Sequence, residues 1–388
     1  MNYSEIQRAL KKLNIDGYLI YDFRGSNYIG RDILQFSAFT TRRWVALITP
    51  YEPIQFIVPK LEISQFSMEA TKHLYSTHQE FKKYLEQFLQ STKKLAIDTS
   101  PLSNLPVVDI VPAGFMELIK EIKKDIILIP STEVTQYITA QWGDKYHSHK
   151  QAAKALKSSA DTVMKFIKES LQNNKSITDF DASEIMKQEY KKNNLIVDDD
   201  ICIVSTNERT GDPHYFPSKE NMNKIEKNSV LLIDIWARLN QEKSIYADMT
   251  LMGWIGPNPV PNEVLKRWEI IKNARDIAIE YVQSNIQRDV RGFEVDKVVR
   301  EYIASKGFGD AFFHRTGHSI DTHDHGKGAN IDDFETHDER FLLPDTGFSI
   351  EPGIYKSDFG VRSEIDMYVT PEKKAEVTTY KQEELFIL

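Results

Sequence analysis

A chain of 388 residues, 41% hydrophobic and 27% charged, has the profile of a globular protein with room for two domains of ordinary size. A net charge of −8 leaves no basic excess to neutralise phosphates, which argues against a nucleic-acid binder, and no apolar run approaches the roughly 18–20 residues of a membrane span. Cys202 is the only cysteine, which excludes intrachain disulfides and cysteine-based zinc clips and makes a reducing cytoplasm the expected compartment.

The opening stretch MNYSEIQRALKKLNIDG predicts an amphipathic helix with Ile6, Leu10 and Leu13 on one face, and it lacks the marks of a signal peptide. Strand signals follow at GYLIYD (17–22), WVALITP (44–50) and IQFIVP (54–59). A helix near 79–92, a strand KLAID (94–98), a helix near 114–124 and a strand DIILIP (125–130) complete an α/β domain over residues 1–140. The polar segment QWGDKYHSHK (141–150) is the expected boundary, with His147 and His149 in a solvated linker or helix start.

From 150 to 388 the pattern changes. Ala152, Leu156, Ala160, Val163, Ile167 and Leu171 fall at helical spacing, and SITDFDASEIMKQEYKK predicts a second helix. Strands are expected at ICIVS (201–205), which buries Cys202, and at SVLLIDIWA (229–237) paired with SIYADMTLMGW (244–254). The order then recurs: helices at about 262–286 and 294–305, and strands within FSIEPGIY (348–355) and VRSEIDMYV (361–369). Two successive helix–helix–strand–strand blocks suggest a domain of two similar halves.

Carboxylates interrupt these strands. Asp234 breaks an apolar run that reads as buried on both faces, where an unpaired charge would cost several kcal/mol. Asp248 repeats the oddity on the partner strand, at a position from which the two aspartates could face each other. Glu351 and Glu364 do the same in the second block, with Arg362 on the same strand face as Glu364 and able to hold it. Taken alone, each aspartate is compatible with a structural pair satisfied by backbone N–H groups, and each glutamate with a structural ion pair. Together with an imidazole from HRTGHSIDTHDHG (314–326) they make an oxygen-rich set with one nitrogen, which suits two hard or borderline divalent ions. The histidine cluster therefore reads as one corner of an active site, not as a metal sponge or a structural clip.

The words DPHYFP, LLIDIWA, YADMT, HRTGHSI, HDHG, SIEPGIY and GVRSEIDMYVT occur in an order that resembles the pita-bread metallopeptidases: methionine aminopeptidase, aminopeptidase P and prolidase. The segment before residue 140 resembles the N-terminal domain of prolidase and aminopeptidase P. The resemblance implies an α/β N-terminal domain (1–140) followed by an α+β pita-bread, creatinase/aminopeptidase-like catalytic domain (150–388) with pseudo-twofold halves. It implies that Asp234 chelates one metal, that Asp248 and Glu364 bridge, and that His318 with Glu351 completes the second. A bridging hydroxide would attack the scissile carbonyl, with Glu351 as proton shuttle and His325 stabilising the oxyanion. His214 would position substrate, and His314 and Arg362 would serve substrate-side or supporting roles. The expected ions are two divalent metals, manganese first, with cobalt, zinc or iron as alternatives.

The activity so implied is hydrolysis of Xaa-Pro bonds, by a dipeptidase or an aminopeptidase acting on proline-containing peptides, in a cytoplasmic homodimer. Two departures stand out. Thirteen residues separate Asp234 from Asp248, longer than the family's usual hairpin, the extra length lying in ARLNQEKS. Where prolidases often hold a dipeptide's terminal carboxylate with an arginine, this chain has His337, with Arg340 close by. An alternative with the same fold and metals acts on a small non-peptide metabolite; creatinase lacks the metal set, which this chain retains. A peptide-binding module that has lost its ligands is the third reading, and all five ligands are present. His323, His337, His73 and His78 are expected in surface or packing roles, and the acidic run at 198–200 in a solvated turn.

Overall fold

The computed structural model describes residues 3–198 and 202–388, which divide into two compact units, Met1–Thr139 and Ala140–Leu388. In the first unit, a six-stranded sheet of order β4-β3-β2-β1-β5-β6 is built from β1 (Gly17–Asp22), β2 (Trp44–Ile48), β3 (Gln55–Pro59), β4 (Thr71–Tyr75), β5 (Lys94–Ile97) and β6 (Ile127–Pro130). Helices α1 (Ser4–Leu13), α2 (Tyr28–Ile33), α3 (His78–Gln90), α4 (Ala113–Ile122) and α5 (Thr132–Thr139) belong to this unit. The amphipathic face expected of α1 is present, with Ile6 and Leu10 fully buried. Helix α3 starts at a reciprocal cap, in which the Thr77 hydroxyl accepts from the Glu80 N–H and the Glu80 carboxylate accepts from the Thr77 N–H.

In the second unit, α6 (Tyr146–Gln172) and α7 (Asp179–Lys192) precede β7 (Leu195–Ile196), β8 (Ile203–Thr206), β9 (Ser229–Leu239) and β10 (Ala247–Ile255). Leu156, Val163 and Ile167 of α6 share one apolar core with Ile233, Ile235 and Met249. Then come α8 (Asn262–Asn285), α9 (Gly292–Ser305), β11 (Ser319–Ile320), β12 (Thr346–Ile350), β13 (Gly353–Ile354), β14 (Val361–Arg362), β15 (Ile365–Val369), β16 (Ala375–Val377) and β17 (Phe386–Ile387). Trp268, Ile271 and Val299 of these helices pack with Phe348, Ile350 and Met367. Each half thus lays a helix pair over its own sheet, with β17-β10-β9-β7 in one and β11-β12-β15-β16 in the other. Each fully buried Leu, Ile or Phe contributes about 1.5–3 kcal/mol. That burial lets the sheets tolerate carboxylates where they meet.

One expectation changes in this unit. His149 lies in the first turns of α6, as a helix start, yet it is wholly buried. Its Nδ1 is 2.6 Å from the Tyr246 carbonyl and its Nε2 2.7 Å from Thr378 Oγ1, and burial holds its pKa down at about 4. In the acidic run, Asp199 and Asp200 lie outside the described residues, while Asp198 stands 3.4 Å from Arg238. Cys202 is buried just before β8, with Sγ 3.5 Å from the Ser183 carbonyl.

Candidate metal centre

β9 and β10 present Asp234 and Asp248 on one face of their ladder, because the side chains of a strand alternate. The register pairs Asp234 with Thr250 and Asp248 with Trp236, so the two aspartates are diagonal neighbours and do not face each other directly. In the second half, Ile350 pairs with Ile365, and Glu351 and Glu364 extend that pairing by one step beyond the strands. The Asp248 N–H donates to Asp366 Oδ2 at 2.8 Å, which joins β10 to β15.

Arg362, expected to hold Glu364, turns its guanidinium to Asp234. Its Nε donates to Thr250 Oγ1 at 2.9 Å and stays 4.0 Å from Glu364 Oε2. The reason is local. β14 ends at Arg362 and β15 begins at Ile365, so the two-residue alternation that would align Arg362 with Glu364 is broken between them.

His318 arrives on the segment that follows α9. Asp296 of α9, fully buried, accepts from the Thr316 N–H at 3.0 Å and its hydroxyl at 2.5 Å, tying that segment to the helix. At Gly317 a Cβ would fall 2.0 Å from the Ser349 carbonyl oxygen, so only glycine permits this approach. The His318 N–H then donates to Ser349 Oγ at 3.0 Å. Its Nε2 lies 3.4 Å from Glu351 Oε1 and 3.6 Å from Asp248 Oδ2, while Nδ1 is 3.2 Å from the Ser319 carbonyl. A proton on Nδ1 serves that carbonyl and leaves the Nε2 lone pair facing the carboxylates.

The electrostatics are those of crowded acids. Burial, then the charges of Glu364 and Asp324, push the Asp248 carboxyl well above its ordinary range; burial, then Glu351 and Asp234, do the same to Glu364. Burial pushes Glu351 up to about 7 against the opposing pull of Arg362 and Arg315. His318 is held well below its usual value by burial, so it is a neutral imidazole. Asp248 Oδ1 is buried with no hydrogen-bond partner among the described residues. Carboxylates so crowded and so dry require a cation or protons between them. Oxygen donors with one neutral imidazole fit divalent metal ions.

Asp234, Asp248, His318, Glu351 and Glu364 all line one cavity of about 1050 Å³. His214, His314, His325 and Arg362 line it too. The His325 Nδ1 is 3.3 Å from an Arg315 guanidinium nitrogen, and burial, then the charges of Arg315 and His214, hold its pKa down at about 4. His314 has Nδ1 2.7 Å from the Arg315 carbonyl and Nε2 2.8 Å from Tyr355 Oη; burial, then Arg362, bring it to about 3.

The remaining histidines divide. His323, expected in a surface or packing role, is exposed yet belongs to the cavity wall, with Nδ1 3.2 Å from Asp321 Oδ1, a partner that raises its pKa. His337 and Arg340 are not among the cavity's described lining residues. His337 Nδ1 sits 2.6 Å from Asp333, and buried Arg340 is bound by Asp338 at 2.6 Å and by the Lys327 carbonyl at 2.9 Å. Three groups of the site escape sequence reasoning: Thr250, buried between the acids, and Arg315 and Asp324, which line the cavity. In a polar loop none of the last two looks anomalous, and a threonine in a strand never does.

Residues 147–371, more than half of the chain, match metallopeptidase family M24. The Xaa-Pro dipeptidase of Pyrococcus furiosus is 28% identical over 185 residues, 47% of this chain and 48% of the relative, so the chain spans about half the length of that curated relative. Among solved structures, dipeptidase PepE from Mycobacterium ulcerans has a TM-score of 0.69 at 19% identity, covering 99% of this chain and 96% of that one. The X-prolyl aminopeptidase from Caenorhabditis elegans, a cytosolic enzyme with a di-nuclear active site, has a TM-score of 0.62 at 15% identity, covering 98% of this chain and 62% of that one. The fold is therefore the pita-bread arrangement of prolidases and X-Pro aminopeptidases. A match of that extent, on a fold shared across the whole described chain, means that this chain belongs to metallopeptidase family M24.

Proposed function

We propose that this chain is a dinuclear-metal exopeptidase that hydrolyses the Xaa-Pro peptide bond. The observation that carries the reading is the convergence of four carboxylates and one neutral imidazole on a single cavity wall. Asp234 would hold one ion, Asp248 and Glu364 would bridge, and His318 with Glu351 would hold the other. Bound divalent ions polarise a carbonyl and acidify a shared water, which is what amide hydrolysis needs.

The chain's own residues do the rest. Glu351 Oε1, steadied by Ser349 Oγ at 3.2 Å, moves the proton to the leaving nitrogen. Arg315 donates to His325 Nδ1, which leaves the Nε2–H of that ring to donate to the developing oxyanion. His214, which also lines the cavity, positions the substrate, and His314, fixed by Tyr355, backs it. Phe216 and Phe313, both exposed into the cavity, offer an apolar seat for a pyrrolidine ring.

Manganese is the proposed ion, given the hard oxygen donors, with cobalt, zinc and iron as competitors. A cytoplasmic homodimer is the proposed working form; no helix among the described residues is long and apolar enough to cross a membrane. The test is a panel of Xaa-Pro dipeptides and Xaa-Pro-Yaa tripeptides, assayed with each metal in turn. Turnover restricted to peptides with proline in second place is expected. Absence of turnover on every member, with every metal, would refute the reading.

A further inference from the structure

Asp324 is a cavity carboxylate that lies outside the five-residue set yet clusters with one of its members, His318. It lies between His323 and His325 in the loop after β11. Its Oδ1 is buried and without a hydrogen-bond partner among the described residues, as is Oδ1 of Asp248. The two carboxyl groups are nonetheless within hydrogen-bonding reach of each other. The ligand atoms of Asp324, His318 and His325 lie within 4.8 Å of one another, and so do those of Asp248, His318 and Glu364. His318 therefore belongs to both donor clusters, and Asp324 to the one that the family pattern does not supply.

We propose that Asp324 is a sixth protein ligand of the metal centre, coordinating the same ion as His318. The inference rests on the dinuclear reading given above and deepens it. Donor atoms on one ion, each about 2.0–2.2 Å from it, can stand no more than about 4.4 Å apart. The observed clustering is close enough for small side-chain rotations to close the shell.

Among the described residues, no protein cation takes the place of that ion. Asp324 Oδ2 is 3.9 Å from His325 Nε2, beyond hydrogen-bonding distance, and that imidazole is neutral. Arg315 is directed to His325 and Glu335. A substrate ammonium is the rival occupant, but it would want acceptors on every side. His325 offers it none, because its Nδ1 accepts from Arg315 and its Nε2 carries the proton.

The experiment uses the full chain, stripped with chelator, as wild type, Asp324→Asn and Asp324→Ala. Manganese(II) binding is followed by calorimetry, bound metal is counted after dialysis, and the metal-free proteins are melted. The wild type is expected to bind two ions. Both variants are expected to keep one at unchanged affinity and to bind the other about 10–100-fold more weakly. Metal-free Asp324→Asn is expected to melt above metal-free wild type, because one of the crowded acids is gone. Two ions bound with unchanged affinity in both variants would overturn the inference and leave the dinuclear reading intact. So would unchanged metal binding with a raised KM for free-amine peptides, which would make Asp324 the anchor of the substrate ammonium. Variants that melt lower without metal and weaken both ions would show a packing role and overturn it too. A wild type that binds no manganese would sink the dinuclear reading along with this one.

Discussion

Thr250 stands directly opposite Asp234 in the β9–β10 ladder, and its hydroxyl oxygen lies 2.9 Å from Asp234 Oδ1 and 2.7 Å from Glu364 Oε2. The same oxygen accepts from Arg362 Nε at 2.9 Å. A single hydroxyl therefore sets the spacing between an acid of the first half and an acid of the second. Thr250→Val keeps the shape and removes the oxygen. It should weaken manganese binding by about 10–100-fold. It should also cost about 1–3 kcal/mol of stability, because Arg362 Nε loses its partner. Thr250→Ser should restore both. Metal titration and thermal melting of the three proteins check this.

The pH dependence of the metal-free protein has a calculable sign. Burial and mutual repulsion raise Glu351 to about 7 and Asp324 to about 8, and hold Asp248 and Glu364 well above their ordinary range. Unfolded, these groups titrate near about 4. Between the two values the folded chain binds more protons than the unfolded one, so stability falls as pH rises from about 4 through about 8. His325 at about 4 and His314 at about 3 act in the opposite sense, their contribution falling as pH drops below about 6.5. Above that pH the carboxyls act, joined in the same sense by His323, whose pKa Asp321 raises. Chelator-treated protein should melt progressively lower from about pH 6.5 to about pH 8, and manganese should raise Tm most at the upper end, where its ligands ionise most readily. A metal-induced shift that is flat over this range would contradict the assignment.

How much of this was legible in the sequence depended on whether a residue looked out of place. Asp234 and Asp248 did, because ionised groups within apolar strand runs need a reason, and the long helices of the second unit announced themselves by their periodicity. Helix α2 and strand β4 did not. The first is a six-residue helix capped by Asn27, and the second alternates Thr71, His73 and Tyr75 at a sheet edge where little is buried. The diagonal placement of the two aspartates was out of reach because register depends on a turn whose length, not its composition, decides the pairing. Arg362 was read as the partner of Glu364 from spacing alone, and the break between β14 and β15 undid that arithmetic. Asp324 was hidden for the reverse reason: an acid in a polar loop carries no anomaly until the fold turns it inward.

Arg362 is the positive charge inside the acid cluster, buried and paired with Asp234. Breaking a buried pair from one side leaves the other charge uncompensated, so Arg362→Ala should cost about 3–5 kcal/mol. Arg362→Lys keeps the charge but loses the planar fork that reaches Asp234 and Thr250 together, and should fall between the two. Urea unfolding of the metal-loaded proteins orders them. A stability for Arg362→Ala equal to wild type would mean that the bound metal alone balances Asp234.

Two arginines compete for the role of holding a peptide's terminal carboxylate, and the structure separates them. Arg340, favoured by its place before Glu351, has its guanidinium committed to Asp338 and to the Lys327 carbonyl. Arg340→Ala should therefore leave the KM for Xaa-Pro dipeptides relative to tripeptides unchanged while lowering Tm, since buried Asp338 would lose its charged partner and keep only backbone N–H donors. Arg315 lines the cavity, its guanidinium 3.3 Å from His325 Nδ1 and only loosely paired with Glu335 at 4.0 Å. Arg315→Ala should raise the dipeptide KM more than the tripeptide KM, because in the dipeptide the terminal carboxylate sits on the proline itself, beside the bond to be cut. It should also release His325 from a neighbouring positive charge, so that its pKa climbs from about 4 and the acid limb of the pH–rate profile moves up with it. If Arg340→Ala were the variant that lost dipeptides selectively, the loop from 327 to 340 would have to open when substrate binds.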